Sequence, residues 1–325
     1  MKTLIMIIAC FALIFCKTSI KDESQNDTSL STVISSLDHP QLSKGEHYAI
    51  INGVKLWYTV RGNGPILLIY PAGAGWGGDA SIHYKTLQPL EKKMKIIYLE
   101  PRGIGHSERV ESVNAYSMDN YVKELEAFRK YLNIEPFDLS GHCYGGCICL
   151  KYAIKHPEKV NHLILLNTTP YAQYGDYQTW EKNRKGYDIM LSKLDSIRQL
   201  NIDPDIRIKE NMRAWAPITF YDYDIISEGF NNYLDQMTFS ASPVMYFNKY
   251  DRLAFNVVDS LAFIDAKTLI ILGDDDLPFI KIGSKVLYEK IPESKLITIQ
   301  ECGHWPFLEQ PMQLFKHINS FLSIE

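Results

Sequence analysis

One cysteine stands where the chain presents a side chain to chemistry. Gly141-His142-Cys143-Tyr144-Gly145-Gly146 follows the short run Phe137-Asp138-Leu139-Ser140 and precedes a stretch of helical character over residues 147–156. A G-x-C-x-G pattern between a strand and a helix is a nucleophile elbow. The sharp turn lifts the central side chain to the carboxyl end of a sheet, and the next backbone N–H and the helix N-terminus face developing negative charge. A thiol there, given a histidine, reacts as thiolate and forms a covalent acyl intermediate. Three fixed positions in five occur by chance, so the reading depends on the elements that surround the turn.

Those elements alternate. Tyr48-Ala49-Ile50-Ile51 and Lys55-Leu56-Trp57-Tyr58-Thr59-Val60 flank Asn52-Gly53, a hairpin signal. Continuous apolar runs at residues 65–70 and 95–99 read as buried strands. Met118, Val122, Leu125, Phe128 and Leu132 recur at helical spacing behind Ser117, an N-cap. The elbow strand, its helix and the strand 163–166 follow. Alternation then stops for about ninety residues and resumes with a strand at 268–272, a helix near 281–290, a strand at 296–299 and a helix from Pro311 to about residue 322. This order predicts an α/β fold with a mostly parallel central sheet flanked by helices. The interruption, residues 171–265, is rich in aromatics and predicts a helical cap through 180–200 and 223–237. Its rings are expected to form a small core of their own, with some lining a pocket.

The chain has 325 residues, of which 46% are hydrophobic and 22% charged, with a formal net charge of −4. That excludes the basic surface nucleic-acid binding requires. Residues 1–16 read as a signal peptide: Lys2, an apolar run over residues 4–15 too short to span a bilayer as a helix, then Cys16 in a context resembling a bacterial lipoprotein cleavage site, although Phe15 departs from the usual small residue. Residues 17–45 have the polar composition of a flexible tether. The expectation is an exported protein, periplasmic or membrane-anchored, with Cys16 the lipidation site and the lipidated N-terminus its membrane attachment. Of six cysteines, Cys143, Cys147, Cys149 and Cys302 remain beyond Cys10 and Cys16. None shows zinc-site spacing, and Cys147 and Cys149 read as buried core thiols. The histidines are scattered without an H-E-x-x-H, so no metal site and no cofactor are called for.

On the elbow, the element order and the insert, the chain resembles the α/β-hydrolase superfamily over roughly residues 47–323, closest to its capped proline iminopeptidase-like branch. The resemblance implies an acid and then a histidine after the nucleophile. Gly273-Asp274-Asp275-Asp276 matches the acid motif at Asp276, with Asp275 in reserve; Asn167, where some relatives carry their acid, cannot serve. Glu301-Cys302-Gly303-His304-Trp305-Pro306 supplies His304, with Glu309 and Pro311 trailing as in relatives. The expected triad is Cys143, Asp276 and His304. The expected oxyanion donors are the N–H groups of Tyr144 and Gly73, with Ala74 second to Gly73 in the loop Pro71-Ala72-Gly73-Ala74-Gly75-Trp76. Trp76, Trp180 and Glu181 are candidate substrate-binding residues, Glu181 as acid for a substrate amino group. Glu100-Pro101-Arg102-Gly103-Ile104-Gly105-His106-Ser107 matches a further signature, read as a structural turn.

The implied reaction is acyl transfer through a thioester to water, on a small ester, thioester or N-terminal aminoacyl substrate, that is, a small molecule or short peptide. Cysteine in such elbows is familiar from dienelactone hydrolases and polyhydroxyalkanoate synthases. An acyltransferase on the same triad and a non-catalytic binding protein on a retained fold are the alternatives.

Overall fold

The computed structural model describes residues 40–172 and 181–323. Residues 1–16, read as a signal peptide ending at Cys16, most of residues 17–45, read as a tether, and Trp180 lie outside them. The tether reading extends too far at its end: Pro40–Leu42 forms a helical turn whose carbonyls accept from Tyr58 Oη (to Gln41, 2.9 Å) and Lys95 Nζ (to Leu42, 3.2 Å).

Eight strands form one sheet: β1 (Gly45–Ile51), β2 (Val54–Gly62), β3 (Ile66–Tyr70), β4 (Lys95–Glu100), β5 (Phe137–His142), β6 (Val160–Leu166), β7 (Lys267–Gly273) and β8 (Ser294–Ile299). Their spatial order is β1-β2-β4-β3-β5-β6-β7-β8. β1 and β2 pair antiparallel, as do β2 and β4; from β4 to β8 every pairing is parallel. The α/β architecture anticipated from the alternation is present. The Asn52-Gly53 turn closes the first hairpin with both residues at positive φ (49° and 79°), the conformation that pair adopts most readily.

Alternating strand residues face opposite layers. Leu68, Tyr70 and Leu139 join Leu125, Phe128 and Ile148 on one side. Leu67, Ile69 and Ile164 join Phe307, Leu314 and Ile318 on the other. Helix α1 (Met118–Leu132) begins at Ser117, whose hydroxyl accepts the Asn120 N–H at 3.3 Å, and α2 (Tyr144–Lys155) leaves the elbow.

Between β6 and β7 lie α3 (Tyr187–Gln199), α4 (Pro204–Thr219), α5 (Tyr223–Gln236) and α6 (Ala241–Tyr246), followed by a π-helical turn over Phe247–Asp251. The sequence reading missed α4. Asp203 and Pro204 are standard start signals, the Asp203 carboxylate accepting the Asp205 N–H at 2.8 Å, but Pro217 in the last turn reads as a breaker. The insert's rings do not make a separate core. Phe220 stacks on Trp305 (5.9 Å between centroids) and Phe230 lies 5.4 Å from it, joining the layer under the sheet. Among the described residues no helix is long and apolar enough to cross a membrane.

Candidate active site

Cys143 joins β5 to α2 with φ 51° and ψ −121°, a strained backbone for a non-glycine residue. The glycines around it make the turn possible by close approach. A Cβ on Gly141 would lie 2.5 Å from the Gly145 carbonyl carbon, and one on Gly145 would lie 2.5 Å from the Tyr70 carbonyl oxygen. Thr168 braces the elbow from β6, its hydroxyl donating to the Cys143 carbonyl at 2.7 Å.

His304 follows β8 and is buried. Its Nδ1 donates to Asp276 Oδ1 at 2.8 Å, which leaves the other ring nitrogen for its hydrogen bond with Cys143. Burial lowers the proton affinity of this imidazole, but the Asp276 charge and then Cys143 more than reverse that and hold its pKa well above the usual histidine value. Asp276, 1% exposed, also accepts the Leu277 N–H at 2.7 Å on Oδ1. Asp275 points elsewhere and pairs with Arg184 of the insert.

Three further supports were not singled out from sequence as parts of the site. Asn167 Nδ2 donates to Asp276 Oδ2 at 2.7 Å and to the Gly303 carbonyl at 3.0 Å. Glu309 accepts the N–H groups of Gly303 (2.9 Å), Trp305 (3.0 Å) and Tyr221 (2.7 Å), bracketing His304; burial raises its pKa against the pull of those bonds. The Thr219 carbonyl accepts the His304 N–H at 2.8 Å, so the insert holds the histidine's backbone directly. Asn167 was visible in the sequence as a residue unable to be the acid, and Glu309 as a trailing match; nothing in the spacing pointed to Thr219.

These groups open onto a cavity of about 530 Å³. Its wall is chiefly apolar: Ala72, Trp76, Met212, Trp215, Phe247, Phe255, Leu277, Phe279 and Ile280 surround Cys143, Tyr144 and His304. Trp76 packs edge-on to Trp305 at 5.1 Å. Tyr144 opens α2, so its N–H belongs to the helix's unpaired first turn. Gly73 opens the short helix Gly73–Trp76 beside cavity-lining Ala72, but is itself packed toward Ile104 and Gly78 and is not on the described wall. Gly75 is on the wall, so close to Tyr144 that a Cβ there would fall 2.5 Å from the tyrosine Cβ. Glu181 is buried and not on the described wall either. The π-helical turn brings Phe247, Asn248 and Arg252 to the cavity, and Arg252 is the one permanently charged side chain among the described lining residues.

The turn signature after β4 is structural, as read. Glu100 is fully buried and accepts the N–H groups of Ala80 (3.1 Å) and His106 (2.6 Å), and Gly105, at φ 56°, has its Cα against that carboxylate.

The sequence matches the alpha/beta hydrolase fold family over residues 65–311. The chain is 26% identical over 282 residues, covering 82% of it and 92% of the relative, to 2-hydroxy-6-oxo-2,4-heptadienoate hydrolase of Pseudomonas putida. It is 26% identical over 286 residues, covering 84% of it and 97% of the relative, to the proline iminopeptidase PfmaB of Pestalotiopsis fici. Among solved structures, an alpha/beta fold family hydrolase from Bacillus anthracis superposes with a TM-score of 0.72 at 20% identity, covering 85% of this chain and 99% of that one. With the family match spanning well over half its length, the chain belongs to the alpha/beta hydrolase fold family and is an α/β-fold hydrolase.

Proposed function

We propose that this hydrolase works through Cys143, with His304 as base and Asp276 as its orienting acid, on small ester or thioester substrates with a largely apolar acyl group. The observation that carries the reading is the strained elbow at Cys143 within hydrogen-bonding reach of a histidine already bonded to a buried carboxylate. His304 takes the thiol proton, and the thiolate attacks the carbonyl carbon. The oxyanion rests on the Tyr144 N–H and on a backbone N–H of the loop after β3, whose Ala72 lines the cavity while the expected donor Gly73 does not. Collapse expels the leaving group with the proton from His304 and leaves a thioester on Cys143. His304 then removes a proton from water, which attacks that thioester and returns the thiol.

The described wall is chiefly apolar, which suits an apolar acyl group, and Arg252 is the charged lining residue that an acidic end of that group would meet. One relative is named a 2-hydroxy-6-oxo-2,4-heptadienoate hydrolase, a name whose substrate carries a carboxylate. The iminopeptidase reading rests on the relatives of that name and on Trp180 and Glu181. Acyl transfer to an acceptor other than water is the second reading, favoured by a relative named as a probable 1-acylglycerol-3-phosphate O-acyltransferase in Oryza sativa, 24% identical over 73% of this chain and 63% of that one.

The test is intact mass over time with p-nitrophenyl esters of increasing acyl size. A transient adduct on the wild type and none on Cys143→Ala supports the cysteine acyl-enzyme; equal turnover by the variant would overturn it. Export with lipid on Cys16 completes the proposal, and palmitate labelling lost in Cys16→Ala is its check.

A further inference from the structure

Asn167 ends β6 fully buried, with φ 44° and its backbone N–H bonded to the Ile271 carbonyl at 2.9 Å. Its amide nitrogen makes two hydrogen bonds, to Asp276 Oδ2 and to the Gly303 carbonyl, whereas its Oδ1 has no hydrogen-bond partner among the described residues. One NH₂ group therefore links the loop carrying the acid to the loop carrying the base. It does so at the carboxylate oxygen that His304 leaves free. A left-handed turn alone does not require this: glycine and aspartate also tolerate that backbone.

From this we infer that Asn167 is a positioning residue for the reaction. It fixes the rotamer of Asp276 so that Oδ1 faces the His304 imidazole, and sets the distance between the acid and base loops. The inference rests on the triad proposed above. The other titratable groups around the pair are His142, Asp274, Asp275 in its pair with Arg184, Cys302 and Glu309, and none of them bonds Asp276 Oδ2.

The experiment uses the full chain. It follows the pH dependence of kcat/KM on p-nitrophenyl acetate, the pH dependence of iodoacetamide alkylation at Cys143, and thermal stability. The proteins are wild type, Asn167→Gly, Asn167→Asp and Asp276→Asn. Asn167→Gly keeps a residue suited to the turn and removes the donor. Its kcat/KM should fall by about 10- to 100-fold, the worth of a hydrogen bond to a charged group, and its alkaline limb should move to lower pH as the imidazolium loses a well-aligned counter-charge. Asn167→Asp sets a second carboxyl beside Asp276, and the pair holds one proton between them. While that proton stays, the new carboxyl donates as the amide did. Activity should then survive at the acid end and be lost at a pH where Asn167→Gly shows no such limb. Loss of stability with both pH limbs unmoved in Asn167→Gly would overturn the inference and make the residue purely structural. If Asp276→Asn itself leaves the wild-type profile, the triad reading fails; if Asp276→Asn moves it and Asn167→Gly does not, only the positioning role fails.

Discussion

His142 Nε2 donates to the backbone carbonyl of His304 at 2.8 Å, so the residue before the proposed nucleophile is tied to the proposed base. The two rings lie 4.9 Å apart, and burial, then the neighbouring His304 and His83, hold His142 far below the usual histidine pKa. It therefore stays neutral while His304 is the ring that protonates. Two adjacent imidazoles thus have opposite proton affinities because only one of them faces a carboxylate.

Replacing that carboxylate tests the division directly. Asp276→Asn should lower kcat by about 10³- to 10⁴-fold while the fold survives, and bring the His304 titration down toward the ordinary histidine range. Asp275→Asn, which loses only its pairing with Arg184, should cost far less. NMR titration of the His304 ring alongside steady-state kinetics checks both. An equal effect of the two variants would sink the choice of Asp276.

His83 offers a stability prediction. It is 1% exposed, neither ring nitrogen has a hydrogen-bond partner among the described residues, and burial lowers its pKa to about 4. The unfolded chain takes up a proton on this ring below about pH 6.5 and the folded one does not, so stability is lost as pH falls from there toward 4. His83→Phe removes that term. Its stability relative to wild type should improve by about 2 kcal/mol between pH 7 and pH 5. Urea unfolding at the two pH values measures the difference, and no change in the gap would refute the assignment.

Glu309 holds three backbone N–H groups with two oxygens. An amide offers only one acceptor oxygen, and turns donors onto donors at the other position. Glu309→Gln is expected to destabilise by about 1–3 kcal/mol and to depress kcat more than it raises KM, because it loosens the base and not the pocket. A pure KM effect is the contrary result.

Arg252 is expected to act on substrate choice. Arg252→Gln should raise KM for esters whose acyl group ends in a carboxylate by about tenfold or more, and by less for neutral esters of the same length. Parallel series of acyl chains with and without the terminal acid decide this; an identical shift in both would remove Arg252 from recognition.

Much of the architecture was legible because it rests on local patterns. The Asn52-Gly53 turn, the Ser117 cap and the buried apolar strands each announce themselves within a few residues. The elbow was legible too, since its glycines are required by contacts with β3 and its own helix. What the sequence could not disclose is partnership across distance. Asn167 and Asp276 are 109 residues apart, and Thr219 meets His304 across the whole β7–β8 segment. Helix α4 fell in the gap left between 200 and 223, although Asp203 and Pro204 mark its start. Glu181, a candidate substrate-binding acid in the sequence, is buried and is not on the described cavity wall.

The grip of residues 219–221 on the base has a bearing on how such enzymes can be recombined. The Thr219 carbonyl and the Tyr221 N–H come from the same insert that contributes Met212, Trp215 and Phe247 to the cavity wall. A chimaera that exchanges this insert for a relative's, aiming only at a new specificity, also replaces the footing of the proton acceptor. Grafts cut on either side of 219–221 should differ in turnover even when their pockets are identical, and the junction that retains this tripeptide with the host is the one to choose.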